Sequence, residues 1–136
     1  MHRVVVAALV RDGRVLLVHR SPSREAYPGV WDLPGGHIEA GESELDALAR
    51  ELREELAVEV VTSSAVHLCR WDADHDEDPV YLSAWLVGDW QGTPVNAAPD
   101  EHDDLRWFGR EALPPLAHEH LGAVLVQAGL GRSVRG

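Results

Sequence analysis

The sequence predicts an α+β fold, a mixed β-sheet held between helices, and three observations carry that reading. Two β-branched runs joined by Asp12-Gly13 give a hairpin signal. An amphipathic stretch from Glu44 to Leu56 separates them from later strands. Val80 to Val87 alternates as a strand, and Leu116 to Ala128 follows as a second amphipathic helix. Strands, helix, strands, helix is an order that packs helices on a mixed sheet. With 136 residues the chain is read as one domain over residues 1–136, large enough for its own core.

The first strand spans Arg3 to Val10 and the second Arg14 to Arg20, both rich in valine and leucine. Ser21 to Gly29 holds two prolines and reads as a loop. Val30 to Leu33 is a short extended piece that ends at Pro34-Gly35-Gly36. Ser43 is the expected N-cap of the first helix, with Asp46 as an imperfect capping-box partner. Leu45, Leu48, Leu52 and Leu56 form its core stripe. Val58 to Arg70 reads as one strand or two, and Asp72 to Pro79 as an acidic loop. Val80 to Val87 puts Tyr81, Ser83, Trp85 and Val87 on one face, with Leu82, Ala84 and Leu86 on the other. Gln91 to Asp104 is loop-like, Leu105 to Phe108 a short strand, and Gly131 to Gly136 a frayed end.

Net charge is −11, from 23 acidic and 12 basic residues. No basic face is visible to neutralise backbone phosphates, so a nucleic-acid polymer is not the expected partner. A small phosphorylated ligand is compatible if a metal supplies positive charge. Cys69 is the single cysteine, which excludes an internal disulfide, and its apolar neighbours mark it as core packing. The apolar run Val4–Val10 is too short to span a bilayer and lacks a cleavage pattern. A cytoplasmic protein without membrane contact is expected, as a monomer or a homodimer.

Function is written most densely between Gly36 and Val58. On a helix, Glu51, Glu54 and Glu55 stand at i, i+3 and i+4, so their carboxylates share a face opposite the leucine stripe. Like charges so placed repel by roughly 0.2–0.5 kcal/mol per pair. Hard divalent cations take oxygen ligands of this kind, which points to metal-dependent phosphate chemistry. Two nearby patterns fail. Gly36, Gly41 and Ser43 have P-loop spacing, but Glu42 stands where lysine must reach phosphate. His37-Ile38-Glu39 fits the start of a zinc deaminase site, but Cys69 alone cannot supply its paired cysteines.

The full pattern is Gly36, five residues, Glu42, seven residues, Arg50-Glu51-Leu52, one residue, Glu54-Glu55, one residue, Ala57-Val58. It resembles the Nudix box, the signature of the Nudix hydrolase superfamily. Every position matches except Ala57, where the family has glycine. A left-handed helix end there costs alanine roughly 1–2 kcal/mol, or the helix ends differently. The flanking hairpin, Leu33-Pro34-Gly35 and the later Trp107-Phe108 strand look like the MutT-like branch.

The resemblance implies an α/β/α sandwich and hydrolysis of a nucleoside diphosphate linked to a further group, with Mg²⁺ or Mn²⁺ as cofactor. It implies Glu54 and Glu55 as metal ligands, with the Gly35 carbonyl as a further candidate. Glu51 matches the glutamate that binds metal or orients the attacking water. Arg50 would hold the carboxylates by ion pairing, with Glu42 near it. In the loop Pro99–Asp104, Glu101 is the expected contribution to the metal site. Arg20 matches a phosphate-contacting arginine, Arg24 is a second candidate, and Gly36 belongs with them on the substrate side. Tyr27, Trp31 and Trp85 are open to two readings, base stacking or core packing.

The expected reaction cleaves a nucleoside triphosphate, including oxidised ones such as 8-oxo-dGTP, to a monophosphate and pyrophosphate. Nucleotide sugars or ADP-ribose are the alternative, as is a nucleotide-binding domain without turnover. Some ADP-ribose-cleaving members carry a proline at a set distance past the box, and Pro79 lies farther along than that. Asp72, Asp74, Asp76 and Asp78 imitate a calcium loop, but Glu77 and Ser83 occupy the positions that need Gly and Glu. His118 and His120 are two apart on a helix and do not share a face.

Overall fold

A computed structural model describes residues 2–24, 27–73 and 80–129, with Ala73, Glu119 and His120 described by backbone alone. Most of the acidic loop, Asp74 to Pro79, and the C-terminal Gly131 to Gly136 lie outside the described residues.

Strands β1 (His2–Arg11) and β2 (Arg14–Arg20) form the predicted hairpin. Asp12 and Gly13 both have positive φ, at 54° and 74°, the primed geometry that matches strand twist. β3 (Trp31–Asp32) pairs with β2, and β4 (Gly35–His37) pairs antiparallel with β1. The Pro34-Gly35-Gly36 segment, where the extended piece is expected to end, is therefore partly a strand. The absence of side chains is what admits it, since a Cβ on Gly35 would lie 2.1 Å from the Val5 carbonyl oxygen.

Helix α1 (Glu44–Leu56) has the predicted bounds. Ser43 Oγ accepts from the Asp46 amide at 3.1 Å, which is half of a capping box. Ala57 ends the helix in the left-handed conformation, φ 58° and ψ 36°, and donates its amide to the Arg53 carbonyl. Of the two outcomes open for Ala57, the helix keeps its glycine-type end and alanine carries the strain.

Val58–Arg70 resolves into β5 (Glu59–Val60), a 3₁₀ turn at Thr62–Ser64, and β6 (Ala65–Ala73). β7 (Val80–Val87) matches its predicted bounds, and β8 (Trp90–Gln91) pairs with β5. β9 (His102–Gly109) is longer than predicted. Charged Asp103, Asp104 and Arg106 hide it in the sequence, but pairing with β2 extends it. α2 (Glu119–Gln127) starts later than predicted, because Leu116 bridges to Trp31 and the Ala117 amide bonds the Trp31 carbonyl.

The main sheet runs β3-β2-β1-β7-β6, with β4 joined to β1 and β9 to β2. β1 and β7 pair in parallel from His2–Val80 to Leu9–Val87, so the sheet is mixed. Helix α1 covers one face, where Ala47, Leu48, Leu52 and Leu56 meet Val5, Ala7, Leu9, Leu16 and Val18. Each fully buried leucine contributes roughly 1.5–3 kcal/mol. Leu116, Leu121 and Leu125 cover the other face, against Val6, Ala8, Val15, Leu17, Leu82 and Ala84. The architecture is the expected α/β/α sandwich. Cys69 packs against this second cluster, and burial pushes its thiol pKa up. No helix among the described residues is long and apolar enough to cross a membrane.

Candidate active site

The C-terminal half of α1 does not divide into a core stripe and a solvated acidic face. Glu55 is buried with its side chain 5% exposed, and Glu51 is half-buried. Only Glu54 is open to solvent, at 60%. The helix thus aims two carboxylates at the junction of β1, β4 and β9. Its macrodipole places partial negative charge at this end, which adds to their mutual repulsion.

Backbone forms the floor beneath them. The Gly35 amide donates to Glu55 Oε2 at 3.0 Å. A Cβ on Gly36 would lie 2.4 Å from the Glu51 carboxyl carbon, so only glycine leaves space there. Burial, then Glu51 and Glu101, push the Glu55 pKa well above the ordinary carboxylate range, against the pull of the Gly35 amide. Burial also raises Glu51, opposed by Arg50.

Arg50 organises the rim. Its Nε and Nη2 donate to the two Glu42 carboxylate oxygens at 2.7 and 2.9 Å, a bidentate pair. Nη1 donates to Glu51 at 3.0 Å and reaches Glu54 at 3.5 Å, while Nη2 also donates to the His37 carbonyl at 3.0 Å. The Arg50 guanidinium holds Glu42 down to about 2, and Glu42 holds the Arg50 pKa up. One arginine therefore ties the loop before α1 to Glu51.

The opposite wall comes from the segment before β9. The last carbonyls of α1 lack helical partners, and this segment satisfies them. The Val95 amide donates to the Leu56 carbonyl at 3.0 Å, and the Ala97 amide to Glu55's at 2.8 Å. Asn96 Nδ2 donates to the His102 carbonyl at 2.7 Å. Glu101, at the end of this segment, meets Arg24 at 3.6 Å. A carboxylate oxygen of Glu55, one of Glu101 and a ring nitrogen of His102 lie within 4.8 Å of one another.

Sequence reasoning did not find His102. It reaches the site through a β-bulge: His19 pairs with Asp104 but Arg20 pairs with His102, leaving Asp103 as the extra residue. Without it His102 would share the face of Asp104, two residues on. Burial, then Arg24 and Arg20, push His102 down to about 4, so its imidazole is neutral near pH 7.

Arg20 lies beside this cluster. Its Nε donates to the Tyr27 carbonyl at 3.2 Å, and burial lowers its pKa. Burial pushes neighbouring Asp32 up to about 6. Arg20, Arg24, Arg50, Glu51, Glu55, Glu101, Gly35 and Gly36 thus gather in one place, while Glu54 stands at its outer edge. The aromatic candidates lie elsewhere. Trp85 packs beneath the N-terminal half of α1 and donates Nε1 to Glu44 at 3.0 Å. Trp31 packs on the α2 side, edge-on to Phe108 with centroids 4.9 Å apart. Tyr27 meets His118 edge-on at 5.0 Å. A concavity of about 300 Å³ is lined by His19, Trp31, Asp103, Asp104 and Arg106, and by none of the box carboxylates.

The donor set of hard oxygens plus one imidazole suits a divalent cation. A buried acid array with too little positive charge of its own is what such an ion would neutralise.

Known proteins resemble this chain in sequence and in fold. The NUDIX domain family matches residues 1–127. CTP pyrophosphohydrolase of Escherichia coli (strain K12) is 39% identical over 123 residues, covering 86% of this chain and 84% of that protein. NAD-capped RNA hydrolase NudC of Pseudomonas putida (strain W619) is 37% identical over 108 residues, 79% of this chain, but the match spans 37% of its own length. The crystal structure of a MutT NUDIX hydrolase from Burkholderia pseudomallei has a TM-score of 0.81 at 34% identity, covering 90% of this chain and 95% of that one. The solution structure of the E. coli ORF135 protein has a TM-score of 0.71 at 31% identity, covering 95% and 93%. With the family match over residues 1–127 and the likeness to a pyrophosphohydrolase across most of both chains, this sandwich with its box helix belongs to the Nudix hydrolase family and is a pyrophosphohydrolase.

Proposed function

We propose that the chain hydrolyses a nucleoside triphosphate to a monophosphate and pyrophosphate, using Mg²⁺ or Mn²⁺. The convergence of Glu51, Glu55 and Glu101 over the Gly35-Gly36 backbone, beside Arg20 and Arg24, carries this reading. The likeness to a CTP pyrophosphohydrolase over most of both chains supports a triphosphate substrate and places CTP and its deoxy form first among those to test. Oxidised triphosphates stand second.

Glu54, Glu55, Glu101 and the Gly35 carbonyl would hold the ion, with Glu51 at its edge. When bound, such an ion neutralises the phosphates and eases deprotonation of the attacking water. Glu51 orients that water toward phosphorus. Arg50 keeps Glu51 in place through a 3.0 Å ion pair. Arg20 and Arg24 draw the phosphate chain in and offset charge as pyrophosphate leaves. Gly36 leaves room beside Glu51 that a side chain would fill.

A panel tests the reading: CTP, dCTP, 8-oxo-dGTP, NAD, ADP-ribose and a nucleotide sugar, each with Mg²⁺ or Mn²⁺, with and without chelator. Pyrophosphate and monophosphate from a triphosphate, abolished by chelator, is the expected result. No product from any triphosphate, or cleavage of NAD or ADP-ribose in preference to all of them, overturns the substrate assignment.

A further inference from the structure

His102 sits inside the carboxylate cluster, yet the mechanism above gives it no part. Its side chain is 4% exposed, and its Nε2 lies 3.8 Å from Glu55 Oε1, beyond hydrogen-bond reach. Its Nδ1 is buried without a hydrogen-bond partner among the described residues. Burying an imidazole with an unpaired nitrogen is costly, and the nitrogen it turns toward Glu55 is the other one, Nε2. The bulge at Asp103 turns this side chain inward, and Asn96 fixes its backbone through a 2.7 Å bond.

The spacing explains what the ring is for. Donors around one six-coordinate ion, with bonds of about 2.1 Å, stand about 3 Å apart when adjacent and about 4.2 Å when opposite. The Glu55, Glu101 and His102 donors already lie within 4.8 Å of one another. An arginine or lysine could have balanced the two carboxylates, but the residue that β9 presents to the end of α1 is a borderline-soft nitrogen donor.

We propose that His102 is a nitrogen ligand to the divalent cation held by Glu55 and Glu101, tilting this site from Mg²⁺ toward Mn²⁺ or Co²⁺. The proposal rests on the metal-dependent reading of the site and deepens it. Imidazole suits later first-row ions, whereas Mg²⁺ prefers oxygen.

Pulsed EPR on tag-free protein tests it. Mn²⁺ is titrated in, with and without an α,β-methylene nucleoside triphosphate. The expected result is ¹⁴N modulation of the bound Mn²⁺ signal, lost in His102→Gln and in His102→Met, which keeps the buried volume. The Mn²⁺ dissociation constant should rise by roughly 10–100-fold in both variants. Competition should show a much smaller rise for Mg²⁺. Circular dichroism and melting confirm that each variant is folded. Bound Mn²⁺ without ¹⁴N modulation, or modulation that survives both substitutions, overturns the ligand assignment while leaving the metal site standing. Failure to bind Mn²⁺, or binding indifferent to Glu55→Gln, overturns the metal reading itself.

Discussion

Glu44 and Glu55 sit on the same helix, about three turns apart, and meet opposite fates. Glu44 opens α1, where the helix dipole favours an anion. It accepts from Trp85 Nε1 at 3.0 Å, Arg70 Nε at 3.1 Å, Tyr81 OH at 3.5 Å and the Ser83 hydroxyl, which itself contacts His67 at 3.0 Å. Burial alone would raise its pKa, but these hydrogen bonds outweigh burial and hold it low. Glu55 lies in the last turn, where the dipole opposes it. It accepts from the Gly35 amide, while burial, then Glu51 and Glu101, push its pKa up. The satisfied carboxylate fastens the helix to the sheet. The frustrated one is the chemically available one, and the first makes the second tolerable by fixing the helix that carries it.

The comparison breaks most visibly if activity does not follow frustration. Glu55→Gln and Glu54→Gln should each lower kcat by roughly 10²–10³-fold, about 3–4 kcal/mol of transition-state stabilisation. For Glu55→Gln the melting temperature measured without metal should rise, because a buried charge is removed. A Glu55→Gln protein that keeps full turnover ends the assignment of this end of the helix to chemistry.

Glu44→Ala should do the reverse. It strands buried or half-buried donors and should cost about 2–3 kcal/mol in denaturant unfolding. KM should change little. If instead the variant keeps its stability and loses turnover, Glu44 belongs with the site and the contrast dissolves.

Ala57→Gly should stabilise the fold by about 1 kcal/mol, since it relieves a left-handed φ of 58°. Thermal melting reads this directly, and kcat should be unchanged. An unchanged or lower melting temperature would show that the strain is absorbed elsewhere.

The smallest effect concerns Glu42. Its pKa falls from 4.5 to about 2 on folding, so its ion pair with Arg50 stabilises above the unfolded value. That stability disappears as pH drops through the folded value. Glu42→Gln should therefore flatten the acid limb of the stability curve between about pH 4.5 and 2. A limb as steep as in the parent protein would remove Arg50 as the organiser of the rim.

What could be read from the sequence follows from how local each feature is. The α1 bounds, the Ser43 cap and the run Glu51, Glu54, Glu55 depend on spacing within a few turns, and the helix obeys that spacing. The hairpin at Asp12-Gly13 is equally local. Glu44 gave no such signal, because its partners arrive from β6 and β7, twenty-six or more residues away. His102 was invisible for a sharper reason. One extra residue in β9 reverses which face it occupies, and period-two alternation cannot show that. The strand β4 was hidden because glycines usually mark turns, yet here their missing side chains are what let two strands and a helix meet.

That glycine floor restricts how this protein can be altered. Glu51 and Glu55 rest on main-chain atoms of Gly35 and Gly36, and main chain cannot be exchanged by mutation. Any side chain at either position collides with a carboxylate or with β1. The loops after β2 and before β9, which bring Arg24 and Glu101 together, meet the site through side chains instead. A laboratory search for variants with altered substrate choice should therefore leave the floor untouched and concentrate its libraries on those loops. The floor of the site is written in backbone, and the carboxylates and arginines around it in side chains.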